Sequence, residues 1–142
     1  MIQFTVPGQP VAKGRPRMTV RGGHARAYTP AKTVAYEGLV ALAGSDAMAG
    51  APPYSGAVAV EAVAVFPIPP SWPKKKQRAA YWHTTKPDAD NIAKALGDGL
   101  NGVCWTDDSQ VASMRVLKVY GATPGLRVTV TALAPPIEGA SI

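Results

Sequence analysis

Cysteine is almost absent from the chain, and that scarcity excludes several designs. Cys104 alone among 142 residues rules out an internal disulfide framework and a cysteine-built zinc site, and suits a reducing compartment. Histidine is scarce as well, since His24 and His83 stand far apart and form no zinc or catalytic spacing. No apolar run approaches the ~18 residues that span a bilayer. The longest, Ala57–Ile68, is interrupted by Glu61 and closed by prolines. The opening Met1-Ile2-Gln3-Phe4 has no basic stretch leading into an apolar one, so no secretory leader is expected. A soluble, cytoplasmic chain remains, of the about 100–200 residues usual for one domain.

Acidic residues are missing from the first 36 positions, which carry Lys13, Arg15, Arg17, Arg21, Arg26 and Lys32. The stretch between Glu61 and Asp88 also lacks them and holds Lys74, Lys75, Lys76, Arg78 and Lys86. Five of the nine acids then crowd into residues 88–108: Asp88, Asp90, Asp98, Asp107 and Asp108, with Lys94 as the one base. That segment carries −4 and the rest +10, which together give the net +6. A basic body suits a polyanion, because lysine and arginine gain affinity by releasing counterions from phosphates. Carboxylates repel phosphate unless they hold divalent cations that touch its oxygens. The pattern therefore reads as a nucleic-acid surface with a metal site in it.

The hydrophobic periods predict an α+β domain of residues 1–133 with a small mixed sheet of about four strands, two to three helices and a loose tail, 134–142. Ile2–Val6 alternates as a strand. Pro7 through Gly23 reads as a loop or loose hairpin. Thr29-Pro30 starts a helix that runs to about Ala43, with Val34, Leu39, Val40 and Ala43 as its buried stripe and Gly44 near its end. Ala57–Phe66 is the strongest strand, apolar on both faces and therefore central. Ser71 and Pro73 start a short basic helix through Trp82. Asp90 or Asn91 caps a helix that buries Ile92, Leu96 and Leu100 and ends at Asn101-Gly102. Val111–Tyr120 and Leu126–Leu133 read as a hairpin.

Chemistry concentrates in Lys86-Pro87-Asp88-Ala89-Asp90-Asn91-Ile92-Ala93-Lys94 and in Asp107-Asp108-Ser109-Gln110-Val111. In extended backbone Asp88 and Asp90 share a side, roughly 6–7 Å apart. Two carboxylates so close repel unless protonated or metal-bound. Lys94 follows Asp90 by one helical turn on the same face, and Asp98 by two. The turn at Asn101-Gly102 lets Asp107 and Asp108 return towards that helix. Mg²⁺, or Mn²⁺ in its place, suits such hard oxygen donors and can drive phosphodiester hydrolysis. Lys94 would supply charge to the strained phosphate or orient the attacking water.

Taken singly, these residues have plainer readings. Asp90 reads as a helix cap, Asp107-Asp108 as an acidic turn, Lys94 as the partner of Asp90 or Asp98, and Asp98 as part of a solvated face. Caps and turns alone give no reason for a lysine one turn into the same helix. An EF-hand is excluded, because Ile92 and Ala93 stand where an oxygen ligand and a glycine are required.

Two blocks resemble the RusA family of Holliday-junction resolvases, endodeoxyribonucleases common in phages and prophages. One is Phe4-Thr5-Val6-Pro7-Gly8-Gln9-Pro10-Val11-Ala12-Lys13-Gly14-Arg15-Pro16-Arg17 with Tyr28-Thr29-Pro30; the other is Lys86-Pro87-Asp88-x-Asp90-Asn91-x-x-Lys94, Asp98-x-Leu100-Asn101-Gly102 and Trp105-x-Asp107-Asp108-x-Gln110-Val111. The resemblance implies a Mg²⁺-dependent homodimer that nicks four-way junctions symmetrically in recombination and repair. It implies metal-holding, catalytic aspartates at Asp88, Asp90 and Asp108 and an essential lysine at Lys94, with Asp107 outside the ligand set. A two-fold dimer presents two matched sites to a junction of near two-fold symmetry. Candidate DNA contacts are Lys13, Arg15, Arg17, Lys74, Lys75, Lys76 and Arg78. Trp72, Trp82 and Trp105 belong to the core or an interface, or else stack on unpaired bases. Two other functions stay open: a non-catalytic junction binder, and a metal-dependent phosphodiesterase acting on another nucleic acid.

Overall fold

A nine-residue strand, β4 (Val58–Phe66), organises the protein. The computed structural model describes residues 1–14, 17–28 and 30–135. Val58, Val60, Ala62, Ala64 and Phe66 form one face of β4, each no more than 1% exposed. Around β4 the sheet takes the order β1 (Ile2–Pro7), β6 (Gly125–Ala132), β4, β5 (Val111–Tyr120). β1 and β4 run antiparallel to β6, and β4 runs parallel to β5, so the sheet is mixed. Helices α1 (Ala31–Met48) and α3 (Ala89–Leu100) cover the buried face, where Tyr36, Val40, Ile92, Leu96 and Leu100 join Val6, Leu126, Val128 and Val130 in one core. A third helix, α2 (Lys74–Ala79), is short and buries none of its residues. The architecture is the expected α+β one.

Several expectations need correction. β5 and β6 are not a hairpin, because β4 lies between them. The short link crosses the end of β4, where the Gly121 N–H donates to the Phe66 carbonyl at 2.9 Å. A Cβ on Gly121 would stand 2.7 Å from Val65 Cγ1, so only glycine lets the chain cross so closely. β4 is central, but its second face is not closed, since Glu61 is exposed and Val63 half-buried.

α1 runs on to Met48, and its buried stripe is Thr33, Tyr36, Val40, Gly44 and Met48. Val34 and Leu39 are instead 53% and 52% exposed. Apolar residues surround this helix, so the pattern gave no preferred side. α2 stops at Ala79, three residues before Trp82, because Ala80 is extended and Tyr81–His83 lie along the β5 edge. Residues 17–28 form a ribbon, β2 (Arg17–Arg21) and β3 (His24–Tyr28), whose turn is Gly22-Gly23. Both glycines have positive φ, +59° and +79°, as a two-residue hairpin turn requires. Thr29 and residues 136–142, which include most of the expected tail, lie outside the described residues.

Candidate active site

The cap of α3 falls two to three residues earlier than the expected Asp90 or Asn91. Asp88 is the flanking residue, extended at φ −73° and ψ 149°, and its side chain makes no capping bond. Ala89 is already helical, so Asp88 and Asp90 are related by a helix start rather than by strand alternation. The helix is amphipathic: Ile92, Ala95, Leu96, Gly99 and Leu100 are buried, while Asp90, Lys94 and Asp98 are exposed. Asp90 in the first turn is favoured by the helix's positive end.

Asp98 is ion-paired to Lys13. The Lys13 ammonium lies 2.9 Å from both Asp98 Oδ2 and Glu37 Oε1, and the Lys13 main-chain N–H donates to the Asn91 carbonyl at 3.0 Å. The hydrogen bond to Asp98, then that to Glu37, pushes the Lys13 pKa up. Lys13, a candidate DNA contact, braces α1 against α3 through these pairs. Those two ion pairs are the only ones among the described residues, and neither involves Asp88, Asp90, Asp108 or Lys94.

Asp108 opens a single 3₁₀ turn, Asp108–Gln110. Asp107 caps that turn: its Oδ2 accepts from Ser109 N–H at 3.0 Å and from the Ser109 hydroxyl, and Gln110 Oε1 accepts from its N–H at 2.8 Å. The Ser109 hydroxyl and then its N–H hold the Asp107 carboxyl below the usual range. Gln110 Nε2 fastens the turn to the Tyr54 and Gly56 carbonyls at 2.7 and 2.9 Å. Trp105 is fully buried, and its indole Nε1–H donates to Asp108 Oδ1 at 2.8 Å. The same oxygen would lie 3.9 Å from a Cβ on Gly97. Asp108 is therefore laid against α3 at Gly97, three residues beyond Lys94.

Along α3 this sets Asp90, then Lys94, then Asp108 on one strip, with roughly 10 Å of helix axis between Asp90 and Gly97. Among the described residues no three His, Cys, Asp or Glu side chains come close enough to hold a metal by themselves. The donor set still fits a divalent cation, which takes one or two carboxylates and completes its shell with water and substrate phosphate. Cys104 is no alternative nucleophile, since burial pushes its thiol up to about 11.

Behind Asp88, the segment Tyr81–Pro87 docks on β5. Tyr120 N–H donates to the Tyr81 carbonyl at 2.8 Å and His83 N–H to the Lys118 carbonyl at 3.0 Å. Lys118 Nζ reaches back to the carbonyls of Thr85 and Pro87, 2.7 and 2.6 Å away. His83 is buried and stacks on Phe66 at 3.9 Å. Burial, and then the Lys118 ammonium, lowers its pKa below 6.5. The unfolded chain then binds more protons than the native one, so stability drops as pH falls from 6.5 towards the lower native value. His83→Phe is expected to flatten the decline of the thermal midpoint between about pH 7 and pH 5. An unchanged slope would assign the acid sensitivity to other groups.

Lys74, Lys75, Lys76 and Arg78 are exposed on α2, and Lys76 Nζ lies 4.0 Å over the Trp72 ring. A cleft of about 380 Å³ joins this helix to the docked segment through Trp72, Lys76, Trp82, Thr84 and Thr85. Trp82 is 56% exposed and Trp105 is core. Arg15 and the side chain of Arg17 lie outside the described residues. Trp105 and Lys118 were not foreseen as supports of the site. The tryptophan sits three residues before Asp108, the spacing that offered a signal, whereas nothing local to Lys118 points to residues 85–87.

The profile of the family described as Endodeoxyribonuclease RusA matches residues 7–131, and the chain belongs to that family. It is similar to the "Uncharacterized protein YqaN" of Bacillus subtilis (strain 168), 38% identical over 135 residues that cover 91% of this chain and 94% of the relative. No helix among the described residues is long and apolar enough to cross a membrane.

Proposed function

We propose that this endodeoxyribonuclease is a Mg²⁺-dependent resolvase of four-way DNA junctions, with Mn²⁺ an effective substitute, acting in the cytoplasm in recombination and repair. The observation that carries the reading is the strip of Asp90, Lys94 and Asp108, with Asp88 just before its helix and none of the four in an ion pair among the described residues, on a basic protein of this family. Asp88, Asp90 and Asp108 would share divalent cations with the substrate phosphate, and a bound cation would polarise the phosphate and lower the pKa of a water. Asp108 is aimed by the Trp105 indole. Lys94 stands between the carboxylates and places a positive charge beside the phosphate as negative charge builds on its oxygens. The α2 cations, with Arg15 and Arg17, dock the DNA arms, while Lys13 contributes through Asp98 and Glu37.

Paired nicking calls for a homodimer, which puts one site on each of two symmetry-related strands. α1 supports that assembly, because large apolar residues on the outer side of a helix are ordinarily covered. Val34, Leu39 and Leu42 are instead 53%, 52% and 61% exposed on the single chain. Leu42→Asp is expected to halve the mass measured by light scattering and to replace paired junction cleavage by single nicks. A Leu42→Asp protein that stays dimeric would place the interface elsewhere.

Competition among a four-way junction, linear duplex, single strand and RNA tests the substrate. The junction should compete best at equal phosphate count, with affinity falling steeply in salt. Stronger competition by RNA would overturn the assignment.

A further inference from the structure

Lys118 is half-buried near the C-terminal end of β5, and its ammonium is spent wholly on main chain. No carboxylate among the described residues pairs with it. It spans from the sheet to the segment before α3 and donates to the carbonyls of Thr85 and Pro87 at 2.7 and 2.6 Å. Its own carbonyl accepts the His83 N–H, so both ends of the residue grip the same segment. Charge-assisted bonds of this length are about twice as strong as neutral ones. Thr84, Thr85 and Lys86 are exposed, and the Thr85 hydroxyl contact to His83 Nε2, at 3.3 Å, is long. The Lys118 clasp is accordingly the firmest hold on the chain immediately before Asp88.

We propose that Lys118 is a positioning residue of the nuclease site, fixing the backbone that aims the Asp88 carboxylate at the divalent cation. The inference rests on the reading of Asp88 as a metal ligand. Asp88 and Asp90 repel one another, and Asp88 has no capping bond to hold it. Released from β5, the 85–87 segment would let Asp88 swing away from Asp90. A misplacement of about 1 Å is enough to cost a site two orders of magnitude. Lys118 also carries the coupling in a rigid element, as β4 pairs with β5 from Val58–Val111 to Phe66–Tyr120.

The test compares wild type, Lys118→Met and Lys118→Arg in three measurements. Mn²⁺ binding is followed by electron paramagnetic resonance without DNA, junction affinity is measured in EDTA, and single-turnover nicking is measured in Mg²⁺. Lys118→Met should lose about 10- to 100-fold in Mn²⁺ affinity and in nicking rate. It should stay folded at the assay temperature and keep its junction affinity in EDTA unchanged. Lys118→Arg, which still donates to carbonyls, should recover most of both losses. Wild-type Mn²⁺ affinity in Lys118→Met would overturn the proposal. So would a fall in junction affinity as large as the fall in rate, which would make Lys118 a DNA contact. Should the Met variant not fold, Lys118→Gln, with one donor group left, carries the same comparison. If wild type nicks no junction, the resolvase reading fails, while the Mn²⁺ comparison still decides the clasp.

Discussion

Asp90→Asn is expected to bind a four-way junction as wild type does and to stop cutting it. Asp90 is exposed in the first turn of α3 and enters no ion pair among the described residues. Asparagine keeps its shape, so the stability change should stay near the about ±0.5 kcal/mol of surface substitutions. What disappears is an anionic, hard oxygen donor. Losing an outer-shell partner of a metal costs about 10- to 100-fold, so losing a ligand should cost about 10³-fold or more. Single-turnover nicking in Mg²⁺ measures that loss, and gel shift in EDTA measures binding. An Asp90→Asn protein that cuts within tenfold of wild type would remove Asp90 from the metal site.

Lys94→Met should separate the lysine's role from that of the aspartates. Lys94 stands one turn from Asp90 and one turn from Gly97, against which Asp108 is laid. Removing a preorganised charge beside the reacting phosphate costs about 10²–10³-fold in rate. Loss of a positive charge beside carboxylates should leave Mn²⁺ affinity intact or raise it. Slow nicking with retained Mn²⁺ binding is thus the signature of Lys94, whereas Asp90→Asn loses both. If Lys94→Met lost Mn²⁺ as well, the lysine would be arranging the ligands rather than serving the phosphate.

Much of this was legible wherever one segment carried its own pattern. β4 announced itself because eight of its nine residues are apolar, and α3 because Ile92, Leu96 and Leu100 repeat once per turn. The acidic residues of α3 and the following turn stood out because charge of one sign was crowded into one stretch of a basic chain. Long-range arrangement was hidden. The Gly121–Gly125 turn looks like a hairpin loop, and nothing in it tells that β4 is inserted between β5 and β6. α1 misled because Leu39 and Val34 are as apolar as Val40, so sequence could not choose its inner side. Lys13 looked like a free cation until the fold brought Glu37 and Asp98 to it. Lys118 gave no sign, since its partners are main-chain carbonyls that any sequence at 85 and 87 would supply.

Catalysis is attributed to three aspartates that would repel nucleic acid but for a cation shared with its phosphates. The most direct measurement is cleavage of a synthetic four-way junction by the folded wild-type protein in Mg²⁺ and, separately, in EDTA. Paired nicks that appear with Mg²⁺ and vanish in EDTA are the predicted result. Equal cleavage in EDTA, or none in either condition by protein shown to be folded and bound to the junction, would contradict it.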